Sequence, residues 1–342
     1  MVAQVTLADV AAAAGVSLAT ASRALHGASG RSVRPDLAQR VTAAAVRLGY
    51  SANAHAQAMV TGTTTTVGLI VHDIADPYAA AIAAGVMSAA ARRGLIVTVA
   101  STLSDPELEM RHLDALHRQR ARAVILAGSR FADPDITEAA ARQVGSFVAG
   151  GGHAAVIGQD GLGVSAVLID NADGARRLAR VLYSLGYRRF AVLAGPEQLL
   201  TSEDRLAGFR TGLADCGLEL PPENVIGAQF TRDGGYVAMA ELLDRAIDVD
   251  VVFAVNDVMA VGGMVALREQ GNRVPDDMAV AGFDDIPTLR DIEPPLTTVR
   301  IPLADIGSRA LDLALDSGDE RQLLTVRGEV VVRASTPPLR PA

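Results

Sequence analysis

Lysine is missing from this 342-residue chain: its 31 Lys/Arg positions are all arginine. That removes a Walker-type phosphate loop, a Schiff-base nucleophile and an ATP-clamping lysine from consideration. A lone cysteine, Cys216, excludes an internal disulfide framework and a cysteine-rich zinc cluster. No apolar run approaches the roughly 18 residues of a membrane span, so no membrane partner is expected. The opening Met1-Val-Ala-Gln-Val-Thr6 has neither a basic n-region nor an apolar h-region, so the expected location is cytoplasmic. Catalytic signatures are equally scarce. There is no Gly-x-Ser-x-Gly, no His-Glu-x-x-His, and no Gly-x-Gly-x-x-Gly following a strand. Gly150-Gly-Gly152 lacks the spacing of a phosphate cradle, and His112 and His117 do not share a helical face for a metal. No enzyme, cofactor or metal is expected.

What is present reads as globular: 49% hydrophobic and 20% charged residues, at a length for two or three domains. The charge is unevenly divided. Residues 1–62 carry Arg23, Arg31, Arg34, Arg40 and Arg47 against Asp9 and Asp36, so a net −8 leaves −11 for the remainder. A small basic head on a large acidic body fits a head that alone meets nucleic acid, although ordinary surface variation would give the same count.

In the head, Thr6-Leu-Ala-Asp9 has the spacing of a capping box, and Leu7, Val10, Ala11 and Ala14 follow at helical intervals until Gly15. Ser17 caps a second helix running to about Leu25. Two helices joined by a short Gly-containing turn form a helix-turn-helix pattern. Ala21, Ala24 and Leu25 share an inward face; Leu18, Ala19, Ser22 and Arg23 lie on another. Arg23 is long enough to reach a guanine edge with two hydrogen bonds; alternatively Leu18 is core and Arg23 a solvated charge. Pro35 opens a third helix, with Leu37, Val41, Ala44 and Leu48 inward and Gly49 closing it. Asn53–Val60 is a short helix former that needs a partner to persist, and Thr61-Gly62-Thr63 begins a linker.

Val5-Thr-Leu-Ala-Asp-Val-Ala-Ala-Ala-Ala-Gly-Val-Ser-Leu-Ala-Thr-Ala-Ser-Arg23 resembles the opening of the lactose-repressor (LacI/GalR) family of bacterial transcription regulators. Leu48-Gly-Tyr-Ser-Ala-Asn53 resembles that family's entry to its hinge helix, and the likeness runs to Val332-Arg-Ala-Ser-Thr336. The resemblance implies that Leu18 and Ala19 select the operator and that Arg23 contacts bases. It makes Thr6, Ser17, Thr20, Ser22, His26 and Asn53 further DNA contacts. Met59 stands where the family inserts a leucine wedge into the minor groove, and Ala56 is the small residue allowing close approach. Departures are His26 in place of asparagine, Arg34 in place of a serine-type cap, and a longer stretch from His26 to Pro35.

Beyond residue 65 the chain alternates apolar runs with helical patterns. Val67–Val71, Leu95–Ala100, Ala123–Ala127, Ala166–Ile169, Phe190–Ala194, Val251–Val255 and Ala279–Gly282 predict buried parallel strands. Ala79–Arg93, Pro106–Arg120, Asp173–Leu185, Leu206–Cys216 and Val258–Gln270 predict the helices between them. The expected fold is an N-terminal all-α helix-turn-helix domain with a hinge helix, then an α/β core of two doubly wound parallel-sheet subdomains, periplasmic-binding-protein-like. The expected boundaries are 1–52 for the DNA-binding domain, 53–62 for hinge and linker, and 63–342 for the core. Within the core, about 65–163 and 300–325 form one subdomain, and 164–299 and 326–336 the other.

Ligands in such folds lie at the carboxyl ends of the strands. Taken with the resemblance, Asp76, Tyr78, Gln159, Arg205, Phe230, Asn256 and Asp284 become effector-binding residues, suited to a sugar or related polyol. Other roles are open to three of them: Asp284 as a cap, Arg205 in a structural buried pair, Phe230 as core. The expected partners are a near-palindromic operator, a small-molecule effector and a second copy of the chain. The expected function is effector-controlled transcriptional repression; the alternative is a sugar-binding receptor or sugar-modifying enzyme with no role on DNA.

Overall fold

The computed structural model describes residues 5–26, 33–50, 64–316, 318 and 320–339. The expectations for the side chain of His26, for the segment 27–32, and for Asn53, Ala56 and Met59 lie outside the described residues. The chain divides into two compact units, Met1–Thr64 and Thr65–Ala342.

The first unit holds α1 (Leu7–Ala14), α2 (Leu18–His26) and α3 (Pro35–Leu48). The capping box forms: Thr6 Oγ1 accepts from the Asp9 amide at 3.4 Å, and the Asp9 carboxylate accepts from the Thr6 amide at 2.8 Å. Gly15 and Gly49 end α1 and α3 in the left-handed region, at φ 64° and 65°. Arg34 precedes α3 without a side-chain cap and pairs instead with Asp36 at 2.8 Å. Val10, Ala11, Ala14, Ala21, Val41, Ala44 and Ala45 are buried together, a small-residue core that brings the three helices close. Arg40 Nη2 donates to the Ala14 carbonyl at 2.6 Å, fastening α3 to the end of α1.

The second unit begins with β1 (Thr66–Val71), α4 (Pro77–Arg92), β2 (Ile96–Ser101), α5 (Pro106–Arg118), β3 (Ala123–Ala127), α6 (Pro134–Ala149), β4 (His153–Gly158) and β5 (Ser165–Ile169). It continues with α7 (Asn171–Ser184), β6 (Phe190–Ala194), α8 (Leu200–Ala214), β7 (Val225–Gly227), α9 (Arg232–Asp244), β8 (Val251–Ala254), α10 (Asp257–Glu269) and β9 (Ala279–Ala281). Last come β10 (Thr298–Arg300), α11 (Leu303–Asp316), β11 (Leu323–Val326) and β12 (Glu329–Val331). One parallel sheet has the order β11-β5-β4-β3-β1-β2, a second the order β7-β6-β8-β9, and β10 pairs antiparallel with β12. The inner strands of both parallel sheets are buried on two faces, which is why they read as unbroken apolar runs, whereas the edge strands β2, β7 and β11 are partly exposed.

The order corrects one expected boundary. Ser165–Ile169 pairs in parallel with both β4 and β11, so the first subdomain extends past 163 and takes in β5. The link 159–164 carries no helix, unlike most parallel connections, and so reads as a break between domains. Gly161 and Gly163, at φ 139° and 73°, let the chain reverse within that link. The chain crosses to the second subdomain after β5, returns between β10 and α11, and crosses again after β11. This arrangement sets the carboxyl ends of both sheets facing the same cleft.

Candidate nucleic-acid interface and ligand cleft

In the first unit the exposed start of α2 is the candidate reading surface. Ser17 acts as its cap: Ser17 Oγ accepts from the Thr20 amide at 3.2 Å and lies 2.8 Å from Thr20 Oγ1. Ala21 is fully buried, whereas Leu18 is 54% exposed and Ala19 is exposed beside it. Leu18 is therefore no core residue; Ala24 and Leu25 pack against the core beside Ala21, while Ser22 and Arg23 are half-buried rather than exposed. Arg23 lies back along the helix, its Nε donating to the Ala19 carbonyl at 3.0 Å. That bond holds the guanidinium beside Ala19, on the face that carries Leu18.

In the second unit, four of the expected effector residues converge from both subdomains. Arg205, on α8, is 2% exposed. Its Nη2 and Nη1 donate to the two Asp284 oxygens at 2.7 and 3.2 Å, Nη1 also to the Val255 carbonyl at 2.7 Å, and Nε to Asn171 Oδ1 at 2.9 Å. The guanidinium also stacks 3.9 Å from the centre of the Phe283 ring. Asp284 and Asp285 both hold left-handed backbone conformations, at φ 118° and 56°. The Asp284 amide donates to the Val299 carbonyl at 2.8 Å, and the Ile301 amide to the Asp284 carbonyl at 3.2 Å. Asp284 is thus tied by its backbone to the segment crossing between subdomains and by its side chain to Arg205. Burial pushes its carboxyl up to about 6, with Arg205 pulling the other way.

From the first subdomain, Asp76 caps α4 by accepting from the Tyr78 amide at 2.9 Å, and its other oxygen lies 2.8 Å from His72 Nε2. The Tyr78 hydroxyl is held above its ordinary range by burial and by the charges of Asp284 and Asp76, with Arg205 pulling the other way.

Among the described residues, the remaining three make no side-chain hydrogen bond to Arg205, Asp284, Asp76 or Tyr78, although Asn256 follows Val255, whose carbonyl accepts from Arg205. Asn256 caps α10, accepting from the Met259 amide at 2.8 Å, and its Nδ2 is 3.5 Å from the Phe230 carbonyl. Phe230 is half-buried against the core, with its ring beside Gly195. Gln159 is engaged by protein at both ends of its amide: Oε1 accepts from the Arg130 amide at 3.2 Å, and Nε2 donates to Thr201 Oγ1 at 2.8 Å. It belongs to a clasp between subdomains, in which the Ala132 amide donates to the Gln198 carbonyl at 2.7 Å and the Leu200 amide to the Arg130 carbonyl at 2.9 Å.

Several residues of the site carry no signal in the sequence. Asn171 opens α7 and orients Arg205 from 34 positions away, a pairing that local spacing does not reveal. Asp257 is fully buried, accepting from Thr298 Oγ1 at 2.6 Å and from the Ile286 amide at 3.0 Å. Burial and the neighbouring Asp284 push its carboxyl up to about 7. Glu109 and Arg130 pair at 2.6 Å in a crevice that His72 and Ser129 also line. Among the described residues, no group of three or more His, Cys, Asp or Glu is placed to hold a metal ion, and no helix is long and apolar enough to cross a membrane.

Two family models match the chain. Residues 6–53 match the bacterial regulatory proteins of the lacI family, and residues 179–336 match the periplasmic binding protein-like domain. The transcriptional regulator CelR of Thermobifida fusca is 37% identical over 91% of this chain and 91% of its own. The transcriptional repressor CytR of Escherichia coli is 32% identical over 97% of this chain and 96% of its own. Among solved structures, a CelR–cellobiose complex aligns with TM-score 0.70 at 33% identity, covering 97% of this chain and 100% of its own. A lac repressor dimer bound to operator and an anti-inducer aligns with TM-score 0.83 at 26% identity, covering 98% and 100%.

Proposed function

Since the chain belongs to the lacI family of bacterial regulatory proteins, we propose that it is a sequence-specific repressor whose hold on an operator is set by a sugar or related polyol. The observation that carries this reading is the buried Arg205–Asp284 pair of one subdomain, whose charges act on Tyr78 of the other, beside a hydrogen-bonded clasp joining the two. A ligand touching both halves changes the free energy of closing them, and that difference is all an effector needs to shift operator affinity. A coupling of about 1–3 kcal/mol is typical of such systems. The solved CelR–cellobiose complex supports the sugar class, and the lac repressor dimer on its operator supports the DNA role.

In this reading Leu18, Ala19 and Arg23 face base edges in the major groove. Thr6, Ser17, Thr20, Ser22, His26 and Asn53 fix register through the backbone, and Ala56 and Met59 serve the hinge in the minor groove. Asp76, Tyr78, Arg205, Phe230, Asn256 and Asp284 meet the effector, while Gln159 acts through the clasp. A homodimer on a near-palindromic site, working in the cytoplasm without enzymatic activity, completes the proposal. Ile96 at the edge of the first sheet and Leu103 beyond that strand are 67% and 71% exposed, which favours a covered face there.

Replacing Arg23 with alanine tests the DNA half. Operator affinity should fall by about 1–3 kcal/mol, with discrimination lost at one base pair per half-site. Equal weakening on all sequences would instead make Arg23 a phosphate contact.

A further inference from the structure

Resting on that reading of the cleft, we infer that the effector carries no phosphate or carboxylate: the site is built for a hydroxyl-rich, non-anionic ligand. The basic groups at the cleft already have acidic partners. Arg205 is clamped by both oxygens of Asp284 at 2.7 and 3.2 Å, Arg130 meets Glu109 at 2.6 Å, and His72 meets Asp76 at 2.8 Å. Asp284 is 4% exposed, so an anion that took Arg205 would strand that carboxylate out of water. The Arg205–Asp284 pair also cannot turn aside easily, because Asn171 and the Val255 carbonyl hold the guanidinium from two other directions.

What the cluster offers instead is acceptor capacity. Each Asp284 oxygen accepts one bond from Arg205, and each Asp76 oxygen has one neighbour, Tyr78 N or His72 Nε2. An ionised carboxylate has about four lone-pair sites, so both retain room for donors. One Nη2 hydrogen of Arg205 has no partner among the described residues, and the Asn256 amide makes only a 3.5 Å contact. The Tyr78 hydroxyl adds a group that can give or take, so carboxylate acceptors beside a few neutral donors match hydroxyl groups, which both give and take hydrogen bonds. They repel phosphate.

The test uses the full-length protein with matched pairs of compounds: glucose and glucose 6-phosphate, ribose and ribose 5-phosphate, cellobiose and cellobionate. Thermal shift reports binding, and fluorescence anisotropy on an operator recovered by sequencing genomic fragments bound to the protein reports function in parallel. The expected result is that every active compound is the uncharged member of its pair. Its anionic partner should be weaker by about a hundredfold or more, the consequence of breaking a buried pair. An anionic member that equals or exceeds its neutral partner overturns the inference and leaves the sugar reading standing. Silence from all pairs, with operator binding intact, overturns the sugar reading and the inference with it.

Glu109→Gln gives a second arm that leaves the Arg205 pair untouched. Freeing the partly exposed Arg130 should create a thermal response to glucose 6-phosphate that the parent protein lacks. No gain in this variant would contradict the role of pairing in keeping anions out.

Discussion

Arg205 and Asp284 illustrate how one contact can serve both stability and recognition. A buried ion pair contributes little net stability over apolar residues of similar volume, but losing one partner leaves an uncompensated charge. Arg205→Met alone should therefore destabilise the protein by about 3–5 kcal/mol in urea titrations. Adding Asp284→Asn should recover part of that loss, giving a coupling of about 0.5–3 kcal/mol. Strict additivity would mean that the two side chains do not depend on each other. Asp257 supports a different measurement. Its carboxyl rises from 3.8 to about 7 in the folded chain, so the folded state holds a proton that the unfolded state has already released. Stability present below 3.8 is lost as pH rises toward about 7. Asp257→Asn keeps an acceptor for the Ile286 amide and cannot ionise. Its melting temperature should fall less than that of the parent protein between pH 4 and 8, and an unchanged slope would remove Asp257 as the cause.

At the scale of helices and strands, legibility follows the locality of the signal. The capping box at Thr6, the glycine stops at Gly15 and Gly49, and the apolar runs of β1, β3, β6 and β8 are all local, and all appear in the structure. Strand β4 is masked in the sequence by the preceding Gly150-Gly-Gly152, and α6, α9 and α11 do not stand out from it although Asp133 and Thr231 cap two of them. In α9 the consecutive Gly234 and Gly235 oppose a helix on propensity alone. Their reason is tertiary: a Cβ on Gly235 would meet the Met259 carbonyl of α10, and one on Gly262 would meet the Arg232 carbonyl of α9. The same device joins α4 and α11, where Gly85 faces the Ala304 carbonyl and Gly307 the Ile82 carbonyl. Gly85→Ala must push these two backbones apart, with an expected cost of about 1–3 kcal/mol in chemical denaturation. A neutral or stabilising effect would show that the crossing is loose. The cleft is legible only as candidates: strand-end residues can be found, but Asn171 and the engagement of Gln159 arise from folds of the chain that no local spacing records.

For the molecule as a whole, the two units divide the work. The head presents the exposed start of α2, and the core joins its subdomains through the 129–132 and 198–201 clasp around a charge-paired cluster. In the proposed function the head reads a defined sequence, and the core makes that reading depend on a neutral, hydroxyl-rich ligand. The most direct test is sequencing of genomic DNA fragments retained by the purified full-length protein, with and without a pool of uncharged sugars. The expected result is a short near-palindromic motif whose recovery changes when the sugars are added. Retention that is weak, salt-labile and without a motif in both conditions would contradict it.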